Sequence, residues 1–165
     1  MALAMRSTQT TAPSYGNLIA KGYETWPEYW EGAPSRMHGC LNGIGGWFLR
    51  GVAGICPDED APGFRHFIIK PAIVGDLTWA KAHFDSIHGR IESSWKRENG
   101  LLTLDITVPA NTTATVYLPA QDTRSVTESG KPIARSTGVK FLRMQDGNAV
   151  YDVASGDYKF AVADV

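Results

Sequence analysis

The sequence predicts a mainly β protein: an antiparallel sandwich of about eight short strands, preceded by a short helical segment. Three observations carry that prediction. From Arg65 onward the hydrophobic period is two, as in Leu102, Leu104, Ile106 and Val108 against Thr103, Asp105 and Thr107. Turn signals punctuate those runs at Glu98-Asn99-Gly100, Ser129-Gly130-Lys131-Pro132, Asp146-Gly147-Asn148 and Ser155-Gly156-Asp157. Before Gly63 the composition is different, with seven aromatics between Tyr15 and Phe48, few basic groups and helical spacing.

Taken in order, residues 1–12 read as a disordered N-terminus with a low-complexity Ser7-Thr8-Gln9-Thr10-Thr11 tract. Pro13 to Gly22 reads as a short helix with Ser14 as its cap and Gly22 as its stop. A loop through Pro27 and Pro34 follows. Leu41, Ile44, Trp47, Phe48 and Val52 then recur at helical spacing, which predicts a second helix over 39–54. Its six glycines (39, 43, 45, 46, 51 and 54) each cost roughly 1 kcal/mol of helix propensity against alanine. Such a segment needs close-packed neighbours, so residues 13–64 read as the last piece of a larger helical domain. The proline-bracketed acidic loop Pro57-Asp58-Glu59-Asp60-Ala61-Pro62-Gly63 reads as a solvated linker, because its consecutive carboxylates diverge and do not match a calcium loop. The sandwich is expected over 65–165. Further alternation at Phe67 and Ile69, Ala114, Val116 and Leu118, Tyr151 and Val153, and Tyr158, Phe160 and Val162 supplies its strands. Asn99-Gly100 is the strongest hairpin signal, since a type I′ turn needs two residues that tolerate positive φ.

Composition excludes several classes. A net charge of −1 makes no electrostatic case for nucleic acid or an anionic membrane as partner. At 43% apolar and 20% charged the chain can bury a core and is not disordered. No apolar run is long enough for a bilayer-spanning helix. Met1 to Arg6 lacks a basic region ahead of its apolar residues, so it does not read as a signal peptide. Cys40 and Cys56 stand at opposite ends of the glycine-rich segment, which as a helix would hold them roughly 20 Å or more apart. A disulfide needs Cα atoms within about 7 Å, so both thiols are expected reduced and packed as small hydrophobes. No zinc spacing and no cofactor motif is present.

The chemistry concentrates in Thr25-Trp26-Pro27-Glu28-Tyr29-Trp30, with His38 eight residues further on. A carboxylate set between indoles, with an imidazole nearby, suits a sugar site. Aromatic faces stack on pyranose rings, and a carboxylate activates water beside the anomeric carbon. The plainer readings are a solvated carboxylate for Glu28, a buried structural role for His38, and core packing for Trp26 and Trp30. His66, His83 and His88 lack metal-ligand spacing and read as surface or packing residues, Trp79 and Trp95 as core or inter-domain contacts. Asn111-Thr112-Thr113 matches a glycosylation sequon but reads as a turn between strands.

Together these motifs resemble the C-terminal end of bacterial α-L-rhamnosidases of the inverting kind. The matching residues are Glu28-Tyr29-Trp30, Ser35 and His38, Trp47-Phe48, Ala53-Gly54-Ile55 and Pro62-Gly63-Phe64. Ile69-Lys70-Pro71, Ser86 through Trp95, and Pro109-Ala110-Asn111-Thr112-Thr113-Ala114 through Pro119 continue the same order over about nine-tenths of the chain. The resemblance implies that residues 13–64 end an (α/α)6 barrel and that 65–165 form the C-terminal sandwich. It also implies action on terminal α-L-rhamnose with inversion. Glu28 falls at the general base, and His38, Trp30 and Trp26 fall in the sugar pocket. Two positions depart from the pattern: Pro27 replaces its first tryptophan, and Met37 replaces the asparagine before the histidine.

The family's general acid belongs to a segment upstream of any residue present here. Glu24 and Glu31 are poor substitutes, since an inverting pair needs carboxyl groups about 6.5 to 9.5 Å apart on opposite sides of the sugar. General acid help is worth roughly 10² to 10⁴ in rate, so the chain alone is expected to be nearly inactive. Three functions follow from this reading: a hydrolase fragment completed by the rest of the barrel, a carbohydrate-binding sandwich, or a structural remnant. Trp26, Trp30, Trp47 and Phe48 would expose an apolar patch in isolation, which leads us to expect self-association or association with the missing barrel.

Overall fold

In the computed structural model, residues 9–31, 35, 37, 39 and 43–163 are described. They fall into two compact units, one ending at Trp47 and the other beginning at Phe48.

The first unit contains helix α1 (Tyr15–Ala20) and a four-residue turn of helix, α2 (Ile44–Trp47). The ends of α1 are set by local chemistry. Ser14 is extended and its Oγ accepts the Asn17 N–H at 3.0 Å, satisfying a donor that the first turn leaves over. At the other end Gly22 adopts φ +78°. Its N–H donates to Ile19 O, and the Tyr23 N–H donates to Leu18 O, the paired bonds of a Schellman stop. Ser14 and Gly22 therefore act as read from the sequence.

The second unit is the sandwich. It opens with a π-helical turn, Phe48–Val52, and then eleven strands: β1 (Ile55–Pro57), β2 (His66–Ile69), β3 (Trp79–Ser86), β4 (Gly89–Glu98), β5 (Leu101–Val108), β6 (Thr113–Pro119), β7 (Val126–Glu128), β8 (Lys131–Pro132), β9 (Val139–Gln145), β10 (Asn148–Val153) and β11 (Gly156–Ala163). One sheet has the order β1-β2-β6-β10-β9 and the other β3-β4-β5-β11-β7-β8. All pairings are antiparallel except β2 with β6, where His66 lies opposite Thr113 and Ile69 opposite Val116. A parallel pair needs a crossover, and here the chain crosses to the other sheet for β3, β4 and β5 before returning. Period-two alternation gives each sheet one inward face. Phe67, Ile69, Ala114, Val116, Leu118 and Tyr151 meet Ile91, Trp95, Leu102, Leu104, Phe160 and Val162, all at 1% exposure or less.

The expected antiparallel sandwich of about eight strands is present, with eleven strands. The structure corrects the sequence reading in three places. The boundary lies after Trp47 and not near Gly63, because Ile55–Pro57 already pairs with β2. The acidic loop 57–63 therefore joins two strands of one sheet, with Asp58 Oδ1 accepting the Asp60 N–H, and is not an inter-domain linker. The expected helix over 39–54 is not continuous: a short helix gives way at Phe48 to a π-helical turn that ends at Val52. The turn at Ser155-Gly156-Asp157 is not a hairpin, since β10 and β11 belong to different sheets. The other three turns are hairpins, with positive φ at Asn99 and Gly100, Ser129 and Gly130, and Asp146 and Gly147, as type I′ geometry requires.

The glycines of the second predicted helix also differ from expectation. A Cβ on Gly39, Gly43, Gly45 or Gly46 would meet nothing within 4 Å, so no described neighbour presses on them. Gly54 is the exception: at φ +78° its Cβ would lie 2.2 Å from Pro71 N.

The Tyr151 hydroxyl is buried and has no hydrogen-bond partner among the described residues, and burial pushes its pKa up to about 12. Removing an unsatisfied buried hydroxyl recovers its desolvation cost, so Tyr151→Phe should leave stability unchanged or raise it by up to about 1 kcal/mol in urea unfolding. The ionised form is favoured in the unfolded chain above its ordinary pKa of 10.0, while the folded chain holds the neutral form to about 12. Wild-type stability should thus fall between those two pH values, and Tyr151→Phe should remove that part of the loss.

Candidate functional site

The candidate site is built on α1. Its capped first turn buries Ser14, Asn17 and Leu18 and fixes Tyr15, whose side chain is 9% exposed. The Ser14 hydroxyl also donates to Gln9 O, so one buried side chain ties the preceding strand of chain to the helix start. The Tyr15 ring then meets two indoles edge to face: Trp26 at 5.0 Å between centroids and 70° between planes, and Trp30 at 5.0 Å and 79°. The two indoles are therefore at most twice 5.0 Å apart. Perpendicular contacts match the positive edge of one ring to the negative face of another, which fixes ring direction as well as distance.

Trp26, Glu28 and Trp30 are each half-buried, and Pro27 between them is buried. The Glu28 N–H donates to Ser35 O at 3.2 Å, closing the loop that carries the carboxylate. The Ser35 hydroxyl donates to Met37 O at 3.3 Å. Among the described residues no side chain bonds the Glu28 carboxylate. Glu24 and Glu31 are exposed. His38 lies outside the described residues. The sequence marks the indoles and the carboxylate as candidates, whereas Tyr15 reads there only as part of a helix. The available signal was an aromatic directly after a serine cap, ahead of a Trp-x-x-x-Trp pair.

The remaining sequence candidates resolve as packing or surface. Trp95 is core, 1% exposed, with its indole N–H donating to Val52 O at 2.8 Å. Trp79 is 66% exposed on β3, so it is not core. His66 sits with Nδ1 2.6 Å from Thr113 Oγ1, Nε2 2.9 Å from Thr115 Oγ1 and Nε2 3.7 Å from Asp58 Oδ2, joining β2, β6 and the acidic loop. Asn111 takes φ +62° in the turn before β6. Cys56 is a free, half-buried thiol that donates to Arg50 O, and burial pushes its pKa up. Cys40 lies outside the described residues. An open cleft of about 470 Å³ on the outer face of the six-stranded sheet is lined by Lys81, Glu92, Asp105 and Lys159 among others. Among the described residues no three His, Cys, Asp or Glu side chains are grouped to hold a metal, and no helix is long and apolar enough to cross a membrane.

A two-sheet β-sandwich follows a helical unit in which Tyr15 packs edge to face on Trp26 and Trp30. Residues 54–132 match the bacterial α-L-rhamnosidase C-terminal domain. An α-L-rhamnosidase of Streptomyces avermitilis is 34% identical over 93% of this chain, and the match spans 15% of that protein. The crystal structure of the S. avermitilis enzyme complexed with L-rhamnose superposes with a TM-score of 0.79 over 93% of this chain and 15% of its own. The α-L-rhamnosidase of Dictyoglumus thermophilum gives 0.79 at 32% identity, over 94% of this chain and 18% of its own. The chain belongs to the α-L-rhamnosidase family and corresponds to the C-terminal part of those proteins.

Because Ser14 supplies both a cap and a tether, Ser14→Ala should cost about 1 kcal/mol of local stability. Faster amide exchange confined to α1, with the sandwich unaffected, is the expected readout.

Proposed function

We propose that this chain contributes the general base and the aromatic walls of an inverting hydrolase acting on terminal α-L-rhamnose. Glu28 deprotonates the attacking water, Trp26 and Trp30 flank the sugar, and the family pattern assigns His38, which lies outside the described residues, to sugar binding. The water attacks the anomeric carbon on the face opposite the leaving oxygen. A second carboxyl group about 6.5 to 9.5 Å away protonates that oxygen. No residue described here is placed for the second role, so in this proposal the acid comes from further polypeptide. Residues up to Trp47 would then be the end of an (α/α)6 barrel, and the sandwich its C-terminal support.

One observation supports this reading: a single buried ring packs edge to face on the two indoles that flank Glu28 in sequence, and Glu28 is half-buried while Glu24 and Glu31 are exposed. The exposure of Ile19 (60%), Tyr29 (56%) and Met37 (74%) in the same unit supports a further partner surface. The rest of a helical barrel, or failing that a second copy of this chain, would cover them.

The test uses an aryl α-L-rhamnoside. The isolated chain is expected to bind L-rhamnose without measurable turnover. In an enzyme completed with the remaining barrel, Glu28→Gln should lower kcat by roughly 10² to 10⁴. Turnover at an ordinary rate by the isolated chain, or by the completed Glu28→Gln enzyme, would overturn the assignment. Sugar binding that survives removal of residues up to Trp47 would favour a carbohydrate-binding sandwich.

A further inference from the structure

We infer that Tyr15 is the positioning residue of the sugar site, setting Trp26 and Trp30 as a matched pair. The sugar assignment rests on the function proposed above; the bracing stands on ring geometry alone.

Three features distinguish Tyr15 from an ordinary core aromatic. It makes two edge-to-face contacts at the same centroid distance, 5.0 Å, so both indoles take their position from one ring. The partners are four residues apart in a loop, not in a helix or strand, so no backbone ladder holds them in register. Pro27, between them, has no N–H to add to such a ladder. The brace itself is the reverse: it stands on the first turn of a capped helix, beside buried Leu18, with the Ser14 cap and the Schellman stop holding that turn from both ends. A rigid ring thus contacts both indoles of a loop that has no helical or strand ladder between Trp26 and Trp30.

The consequence is coupled behaviour. Losing the ring should release both walls together, and the carboxylate between them loses its framed approach to the sugar. A hydroxyl loss alone should do little, because the contacts that position the indoles are ring to ring.

The test is ¹⁹F NMR on the full chain labelled with 5-fluorotryptophan, whose five resonances are assigned by single Trp→Phe variants. Tyr15→Leu should shift or broaden the Trp26 and Trp30 signals together while leaving Trp79 and Trp95 unchanged. Tyr15→Phe should leave all five near their wild-type positions. Trp47, in the same unit, reports whether that unit stays folded. If Tyr15→Leu disturbs it, Tyr15→Met, whose longer, unbranched side chain fills the gap more adaptably without a ring, takes its place. Titration with L-rhamnose should move the Trp26 and Trp30 signals in wild type and in Tyr15→Phe, with affinity at least tenfold weaker in the ring-less variant. The inference fails if the ring-less variant leaves either indole unmoved, or if Tyr15→Phe is as disruptive as Tyr15→Leu. Coupled indole shifts without any rhamnose response in wild type would uphold the brace and overturn the sugar reading.

Discussion

The sandwich depends on a short stretch of backbone between the π-helical turn and the first strand. Four consecutive carbonyls, Gly51 to Gly54, each meet a different donor. Gly51 O accepts the Ala72 N–H at 2.8 Å, Val52 O the Trp95 indole N–H at 2.8 Å, Ala53 O the Ser93 hydroxyl at 2.7 Å, and Gly54 O the Lys70 N–H at 2.9 Å. Val52 and Ala53 are buried, and a buried carbonyl without a donor costs the full desolvation of that group. The clamp therefore ties the chain entering the sandwich to β4 in one sheet and to the end of β2 in the other. It works only because Gly54 lacks a side chain, where any Cβ would collide with Pro71.

This clamp gives physical meaning to residues that the sequence marks only as a pattern. In the stretch Ser86 through Trp95, Ser86 closes the turn: its hydroxyl donates to Gly89 O and accepts the His88 N–H. Gly89 takes φ +120° with its Cβ position 3.2 Å from Pro109. Ile91 is fully buried, and Trp95 reaches back across the core to Val52. Ala53-Gly54-Ile55 and Ile69-Lys70-Pro71 are the two sides of one close approach. Motifs far apart in sequence are thus parts of a single hydrogen-bonded junction.

What the sequence made legible follows from which forces are local. Period-two burial and type I′ turns are local, so β2, β5, β6, β10 and β11 and the hairpins at Asn99, Ser129 and Asp146 could be read directly. By contrast β9, exposed at five successive positions, and the two- and three-residue strands β8 and β7 show no such period. Strand partnership is not local: the parallel β2–β6 pair leaves no trace in periodicity, and Ser155-Gly156 looks like its fellow turns although the chain there changes sheets. The boundary was misread because the acidic, proline-bracketed loop is the visible composition break, whereas Ile55-Cys56-Pro57 is too short to display a period. In the candidate site, Glu28, Trp26 and Trp30 were legible as residue types at a telling spacing. Tyr15 was not, since its part lies in ring contacts made across a loop.

The two units therefore differ in how they are held. The sandwich closes its core with its own side chains and satisfies its entry segment with its own donors. Among the described residues of the aromatic unit, a capped turn and the Tyr15 ring contribute packing, and Ile19, Tyr29 and Met37 are exposed. The most direct test of the clamp is native-state hydrogen exchange at the Lys70 and Ala72 amides and the Trp95 indole. If the junction belongs to the cooperative core, all three exchange as slowly as the central β5 and β11 amides, at the limit set by global unfolding. Exchange orders of magnitude faster than those strands would show that the junction opens on its own and that the sandwich stands without it.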